Sequence, residues 1–221
     1  MKHGVSLIIP IYNAETELIR FWSRLHSNAP YEVILIDNAS DTTTKAVLRV
    51  CENRPQQDVS LCVVTNTENT GFGPANNQGA ALAEYDTLVF TQTDVEFHRD
   101  VLSDVLVQVD GHDDLFGARL LDYNTGWNTF GDQTFPYLEG WFLACHKDTW
   151  DRIGGFDPRY VPADFEDVDL ATTAISKGVA LKQLNVAVQH NHPGKSWETS
   201  KLDRQQVTIR NQQLFKQKWG L

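Results

Sequence analysis

Basic residues are scarce in this chain and never cluster. Its 221 residues carry 19 Lys and Arg against 29 Asp and Glu, a net charge of −10. That balance excludes a nucleic-acid backbone as the main partner. It still allows a nucleotide held by backbone amides, a metal and a few side chains. Cysteine is nearly absent. Cys51, Cys62 and Cys145 show neither Cys-x-x-Cys nor zinc spacing, so no metal finger or disulfide framework is expected and a reducing compartment is the default. No apolar run reaches the ~18 residues that a membrane span needs. The opening "MKHGVSLIIPIYN" has too short an apolar run and no small-residue cleavage site for a secretory signal. A cytoplasmic location is the expectation. The Gly-rich "ENTGFGPANNQG" (68–79) lacks a Walker lysine, which excludes a P-loop.

What is present is a regular alternation. Hydrophobic residues make up 41% and are interleaved with polar ones, enough for a sizeable core. "VSLIIPIY" (5–12), "EVILIDNAS" (32–40), "SLCVVTN" (60–66) and "TLVFTQTDVEF" (87–97) read as buried strands. Helices are expected over 15–28, 42–53, 73–85 and about 100–109. That order predicts an α/β fold, a doubly wound and mostly parallel sheet. The later part reads as a strand at 116–122, a hairpin-like aromatic stretch at 123–141 and a short helix in "HKDTWDRIG". A helix at 167–177, one or two strands over 179–190 and a terminal helix over 201–220 follow. With no repeat and no long linker, residues 1–221 are expected to form one domain. Residues 1–110 would bind the nucleotide, and 111–221 would face an acceptor.

Ligands of such sheets bind outside the carboxyl ends of the strands. The groups expected there are Tyr12 and Asn13, Asp37 and Asn38, Asn66, then Asp94 and Glu96. A second concentration lies in "PADFEDVDL" (162–170), where Asp164, Glu166, Asp167 and Asp169 crowd into six positions. Acids in a first helical turn complement the helix dipole. A carboxylate facing a substrate is the other reading.

The segments "VSLIIPIYN", "VILIDNASDTT", "TENTGFGPANNQGAA", "FTQTDVEF", "GWFLACHKDTWDRIGGFDPRY" and "FEDVDLATTAISKG" resemble, in order, those of the family-2 glycosyltransferases. These are inverting, metal-dependent enzymes of the GT-A fold. The closing "RNQQLFKQKWG" is similar to the tail of their small rhamnosyltransferase-like members. The resemblance covers nearly the whole chain. It lacks the Gln-x-x-Arg-Trp motif of processive synthases, which implies transfer of single sugars.

The resemblance also implies roles. Pro10, Tyr12 and Asn13 would line the nucleotide pocket, although Pro also ends a ladder and Asn favours a turn. Asp37 would hold the base, accepting hydrogen bonds from it or from a ribose hydroxyl. The competing role, capping the next helix, suits Asn38, Ser40 and Asp41 better. The Gly-rich stretch would hold the ribose and base side through Asn69, Gly71 and Asn77, unless it is only a turn before a helix. Where the family usually has Asp-x-Asp, this chain has Gln92-Thr93-Asp94. Asp94 is then the first metal ligand, with Thr93 beside the nucleotide. Glu96, two residues on along an assumed strand, is the alternative. His190, or His192, would complete a Mn²⁺ or Mg²⁺ site. Lys195 and Ser196 would touch the diphosphate. Asp167 would be the general base and Glu166 would orient the acceptor. Asp169 would serve the helix, and Asp164 either purpose. Gly140 and Trp141 would meet the acceptor.

The expected donor is a UDP-, GDP- or dTDP-sugar, and the expected acceptor a glycan or glycolipid, reached by peripheral membrane contact if lipid-linked. A sugar-phosphate nucleotidyltransferase is the enzyme alternative. Its Gly-rich, Arg/Lys-bearing signature is missing after the first strand. A non-catalytic nucleotide- or glycan-binding relative, motivated by Gln92, is the other.

Overall fold

The computed structural model describes residues 2–53, 59–191 and 202–221. Strand β1 (Lys2–Ile11) feeds two cores at once. Val5, Leu7, Ile9 and Ile11 face one side, and Ile8 the other. Burial on both faces explains why the segment is continuously apolar. The chain continues through α1 (Glu15–Arg24), β2 (Tyr31–Asp37), α2 (Thr42–Asn53), β3 (Ser60–Thr65), α3 (Phe72–Leu82) and β4 (Tyr85–Thr91). β1 pairs in parallel with β2 and β4, and β2 with β3.

Next come β5 (Val95–Phe97), α4 (Val101–Val109), β6 (Leu115–Gly117), β7 (Leu120–Leu121), β8 (Thr129–Phe130), β9 (Gln133–Thr134) and β10 (Tyr137–Leu138). β11 (Phe142–His146), α5 (Lys147–Ile153), α6 (Glu166–Ser176), β12 (Leu181–Gln183), β13 (Val188–His190) and α7 (Arg204–Trp219) complete the order. Seven strands form the main sheet in the order β12-β6-β11-β4-β1-β2-β3. β11 is antiparallel to both its neighbours, β4 and β6. The sheet is the mostly parallel α/β sheet that the alternation predicts.

Leu18, Phe21, Leu48, Val101 and Val105 from α1, α2 and α4 cover one face. Ala75, Trp150, Ile153 and Leu170 from α3, α5 and α6 cover the other. α3 lies so close that a Cβ on Gly79 would stand 2.4 Å from Cγ2 of Ile8. A third core joins the β7–β10 ribbon to α7 through Leu121, Tyr137, Phe165, Val168 and Phe215.

Several expected boundaries move. The helix expected over 73–85 stops at Leu82 because tertiary contacts capture the next backbone amides. Glu84 N–H donates to Oε1 of the buried Glu32 at 2.7 Å, and Tyr85 N–H donates to Oγ of Ser6 at 3.1 Å. The helix expected over 15–28 ends at Arg24, where Leu25 turns extended. The strand expected over 116–122 is two pieces, β6 and β7. The strand expected over 87–97 breaks at a turn closed by Val95 N–H on the Gln92 carbonyl. β5 then leaves the main sheet and pairs with β13. Asp94 therefore sits in a turn and shares no strand face with Glu96. β11 was not expected at all.

Candidate active site

β1, β2 and β4 point their carboxyl ends to one edge of the sheet. Pro10 lies near the end of β1, two residues after pairing with β4 has ceased at Ile8. A missing N–H is tolerated there. Asn13 adopts a positive φ of 49° and ties this exit to the start of α2. Its N–H donates to Ser40 Oγ at 3.1 Å, and its Oδ1 accepts from Asp41 N–H at 2.8 Å. Tyr12 is half-buried beside it.

Asp37, at the end of β2, is fully buried. One carboxylate oxygen accepts from Ser40 N–H at 2.9 Å; the other is buried with no hydrogen-bond partner. The next helix is capped by Asp41 instead, whose Oδ1 accepts from Thr44 N–H at 2.8 Å. An orphaned buried carboxylate oxygen is costly unless a ligand completes it.

Asn38, the next residue, organises the Gly-rich loop. Its Nδ2 donates to the Gly71 carbonyl at 3.1 Å, and its Oδ1 accepts from Asn66, Thr70 N–H and Thr70 Oγ1. Asn69 accepts from Gly71 N–H at 2.9 Å. Gly71 has φ 92°, and a Cβ there would meet Val161 at 2.9 Å, so the residue fits on both counts. Asn77 stands apart from this group. Both ends of its amide are taken by the backbone of Phe156, at 2.8 and 2.9 Å, where it fastens α3 to the loop after α5.

Asp94 and His190 meet across the β5–β13 ribbon, with Nε2 of His190 3.4 Å from Oδ2 of Asp94. Asp94 Oδ1 and His190 Nε2 are both buried without a hydrogen-bond partner. A carboxylate and an imidazole this close, each with a buried unpartnered atom, fit a divalent cation that takes its remaining ligands from bound phosphates and water. Among the described residues the two form a pair and no group of three. Thr93 is buried beside Asp94. Glu96 is occupied elsewhere, bonded to Arg24 and accepting from Asn191 at 3.2 Å. His192, Lys195 and Ser196 lie outside the described residues.

The four acids of 162–170 divide cleanly. α7 holds two of them. Arg204 forks onto Asp164 at 3.0 and 3.2 Å, and Thr208 Oγ1 donates to it at 2.6 Å. Lys218 Nζ, Trp219 Nε1 and Tyr160 Oη donate to Asp169 at 2.7, 2.9 and 3.1 Å. Asp164 and Phe165 both adopt φ 72°, a left-handed pair that leads the chain into α6.

The other two acids are governed mainly by burial. Gly140 N–H donates to Asp167 Oδ2 at 3.2 Å, and Val168 N–H to Oδ1 at 2.9 Å. Loss of hydration pushes the Asp167 carboxyl up to about 6, against the pull of those two amides. Glu166 is buried, with one oxygen unpaired. Burial and, next, the Asp167 charge push its carboxyl well above the usual range.

Gly140 links the two chemistries. The following residue, Trp141, stacks on His190 with ring centroids 5.1 Å apart and planes 23° apart. Contacts thus run from Asp167 through Gly140 and Trp141 to His190 and Asp94. Asn38 was expected at this edge, though not its part in ordering the Gly-rich loop. Glu139, whose Oε2 accepts from Trp141 Nε1–H, was not among the expected site residues; its anchor Arg119 reaches it through a tertiary contact that no local spacing signals.

The profile of glycosyl transferase family 2 matches residues 6–162. The chain belongs to that family. Solved structures with the same architecture are glycosyltransferases of the GT-A fold. One is the mannosyltransferase PcManGT from Pyrobaculum calidifontis in complex with GDP-Man and Mn²⁺ (TM-score 0.68, 19% identity, 96% of this chain and 64% of that one). Another is S. aureus TarS 1–349 in complex with UDP (TM-score 0.62, 16% identity, 94% and 70%). A third is GalNAc-T7 with UDP, GalNAc and Mn²⁺ (TM-score 0.71, 14% identity, 95% and 47%). At these identities the likeness shows the fold. This family-2 chain spans less than two thirds of the mannosyltransferase and under half of GalNAc-T7. No curated protein matches the chain. Among its described residues no helix is long and apolar enough to cross a membrane.

Proposed function

We propose that the protein is an inverting, divalent-metal-dependent, non-processive glycosyltransferase. It moves one sugar from a nucleoside-diphosphate sugar to a hydroxyl of a glycan or glycolipid. The observation that carries this reading is the Asp167 carboxyl, held by the Gly140 amide one residue from the ring that stacks on His190.

Asp167 accepts the proton of the acceptor hydroxyl as that oxygen attacks the anomeric carbon from the face opposite the leaving nucleotide. Partial desolvation raises its basicity, and the two backbone amides keep it aimed and ionisable near neutrality. Glu166 orients the acceptor. Asp37 takes a base or ribose hydrogen bond on its open oxygen, and the loop ordered by Asn38 encloses the ribose side together with Tyr12 and Thr93. Asp94 and His190 would hold Mn²⁺ or Mg²⁺, which when bound offsets the charge of the departing diphosphate. Gln92, where relatives carry an acid, favours a second reading as a nucleotide-binding relative without turnover.

A thermal-shift panel of UDP-, GDP- and dTDP-sugars, each with Mn²⁺ and with EDTA, tests the donor half. NMR of the transferred sugar's anomeric proton tests inversion. A metal-dependent shift with one donor, followed by a product of opposite anomeric configuration, is expected. A shift without any transfer or donor hydrolysis would support the second reading. No shift with any donor would count against both.

A further inference from the structure

Trp141 lies against His190 of the Asp94–His190 pair, and its surroundings fix it there. Its Nε1–H donates to Glu139 Oε2 at 2.8 Å. Glu139 Oε1 in turn lies 3.5 Å from Nη1 of Arg119. Glu139 N–H also donates to the Arg119 carbonyl at 3.1 Å. The indole is thereby held at its edge by a carboxylate that is itself anchored. Its face lies against the His190 imidazole, whose side chain is only 16% exposed.

We infer that Trp141 is a positioning residue for His190. Locked by Glu139 and Arg119, its ring sets the plane of the imidazole so that Nε2 faces Asp94. This rests on the reading of Asp94 and His190 as cation ligands. The groups around a metal-binding imidazole fix its orientation, and losing one weakens metal binding about 10- to 100-fold. Here an aromatic face does that work. A ring stacked at 23° blocks rotation about the Cβ–Cγ bond, a soft two-fold torsion otherwise. A cation-loaded imidazole is also electron-poor, which favours contact with the indole face.

The test uses Mn²⁺ alone on the intact chain. The Hε1 resonance of His190, assigned by its loss in His190→Ala, is followed by NMR as Mn²⁺ is added. In the wild type paramagnetic broadening reaches His190 ahead of the other six of the chain's seven histidines. Trp141→Leu requires about tenfold more Mn²⁺ for the same broadening, and Trp141→Phe, which keeps a ring face, recovers most of that loss. Glu139→Ala, which leaves the indole and removes its tether, moves the midpoint in the same direction. It also keeps the test decisive if Trp141→Leu does not fold. Wild-type midpoints in both Trp141→Leu and Glu139→Ala would overturn the inference. Absence of selective broadening in the wild type would overturn the cation site itself, and the inference with it.

Discussion

Asp167 and Glu166 adjoin in sequence yet meet different surroundings. Asp167 keeps two amide donors, while Glu166 has an unpaired oxygen and the charge of Asp167 beside it. Asp167→Asn is expected to lower transfer about 10³-fold, the middle of the range for a positioned general base. Donor affinity, measured by calorimetry, should stay within about threefold; an equal loss of both would remove Asp167 from the chemistry. Since the base must be ionised, kcat/KM of the wild type should fall as pH drops through about 6.

Glu166 also bears on stability. Its folded-state carboxyl is shifted upward, so the folded protein holds that proton longer than the unfolded chain does. Stability is then lost as pH rises above the ordinary glutamate range. Glu166→Gln should flatten the decline of Tm that sets in as pH rises above the ordinary glutamate range. A slope unchanged by the substitution would contradict the assignment. At this scale the position of a carboxylate was legible where it ends a strand or opens a helix, as Asp37 and Asp167 do, whereas Asp94 lies in a turn that the expected strand hid. Asn77 was misleading because an Asn near glycines looks the same whether it meets a ligand or, as here, the backbone of Phe156.

At the level of elements, α7 secures the acidic loop at both ends. Lys218 donates to Asp157 as well as Asp169, and Asp157 is held well below the usual carboxylate range by Arg159 and then Lys218. Asp169 is almost fully buried. Lys218→Ala should cost about 2 kcal/mol in urea unfolding. That is less than a fully buried pair would lose, because the lysine is a quarter exposed. A change below about 0.5 kcal/mol, the size typical of surface substitutions, would show that Trp219 and Tyr160 satisfy Asp169 unaided. β1 to β4 were readable because strands buried on both faces leave unbroken apolar runs. β11 was not, because its five residues start directly after Gly140-Trp141 and pass straight into α5. The break between β4 and β5 carries no Gly or Pro either. It is a backbone turn at Gln92–Val95, visible only once β5 finds β13.

For the molecule as a whole, the proposed function links donor binding to folding. The site draws on β1, β2, β4, the β5–β13 ribbon and α6, so a donor that spans it ties both parts of the sheet. At a donor concentration of 100 times Kd the stabilisation should reach about 2.7 kcal/mol. For a chain of this length that raises Tm by roughly 5–10 °C. Asp94→Ala should abolish the part of that rise that EDTA removes. A rise that survives both EDTA and Asp94→Ala would place the donor somewhere other than this edge.

Residues 139–141 have a property that single substitutions do not reveal. Gly140 reaches Asp167 through its N–H and Trp141 reaches His190 through its ring, and both stand in the turn that leads into β11. Deleting or inserting one residue in that turn would part the two contacts while leaving the composition nearly intact. The spacing between Asp167 and His190 is thus encoded as a count of residues. Bounded by β10 at Leu138 and β11 at Phe142, this short span behaves as a ruler whose divisions cannot be renumbered.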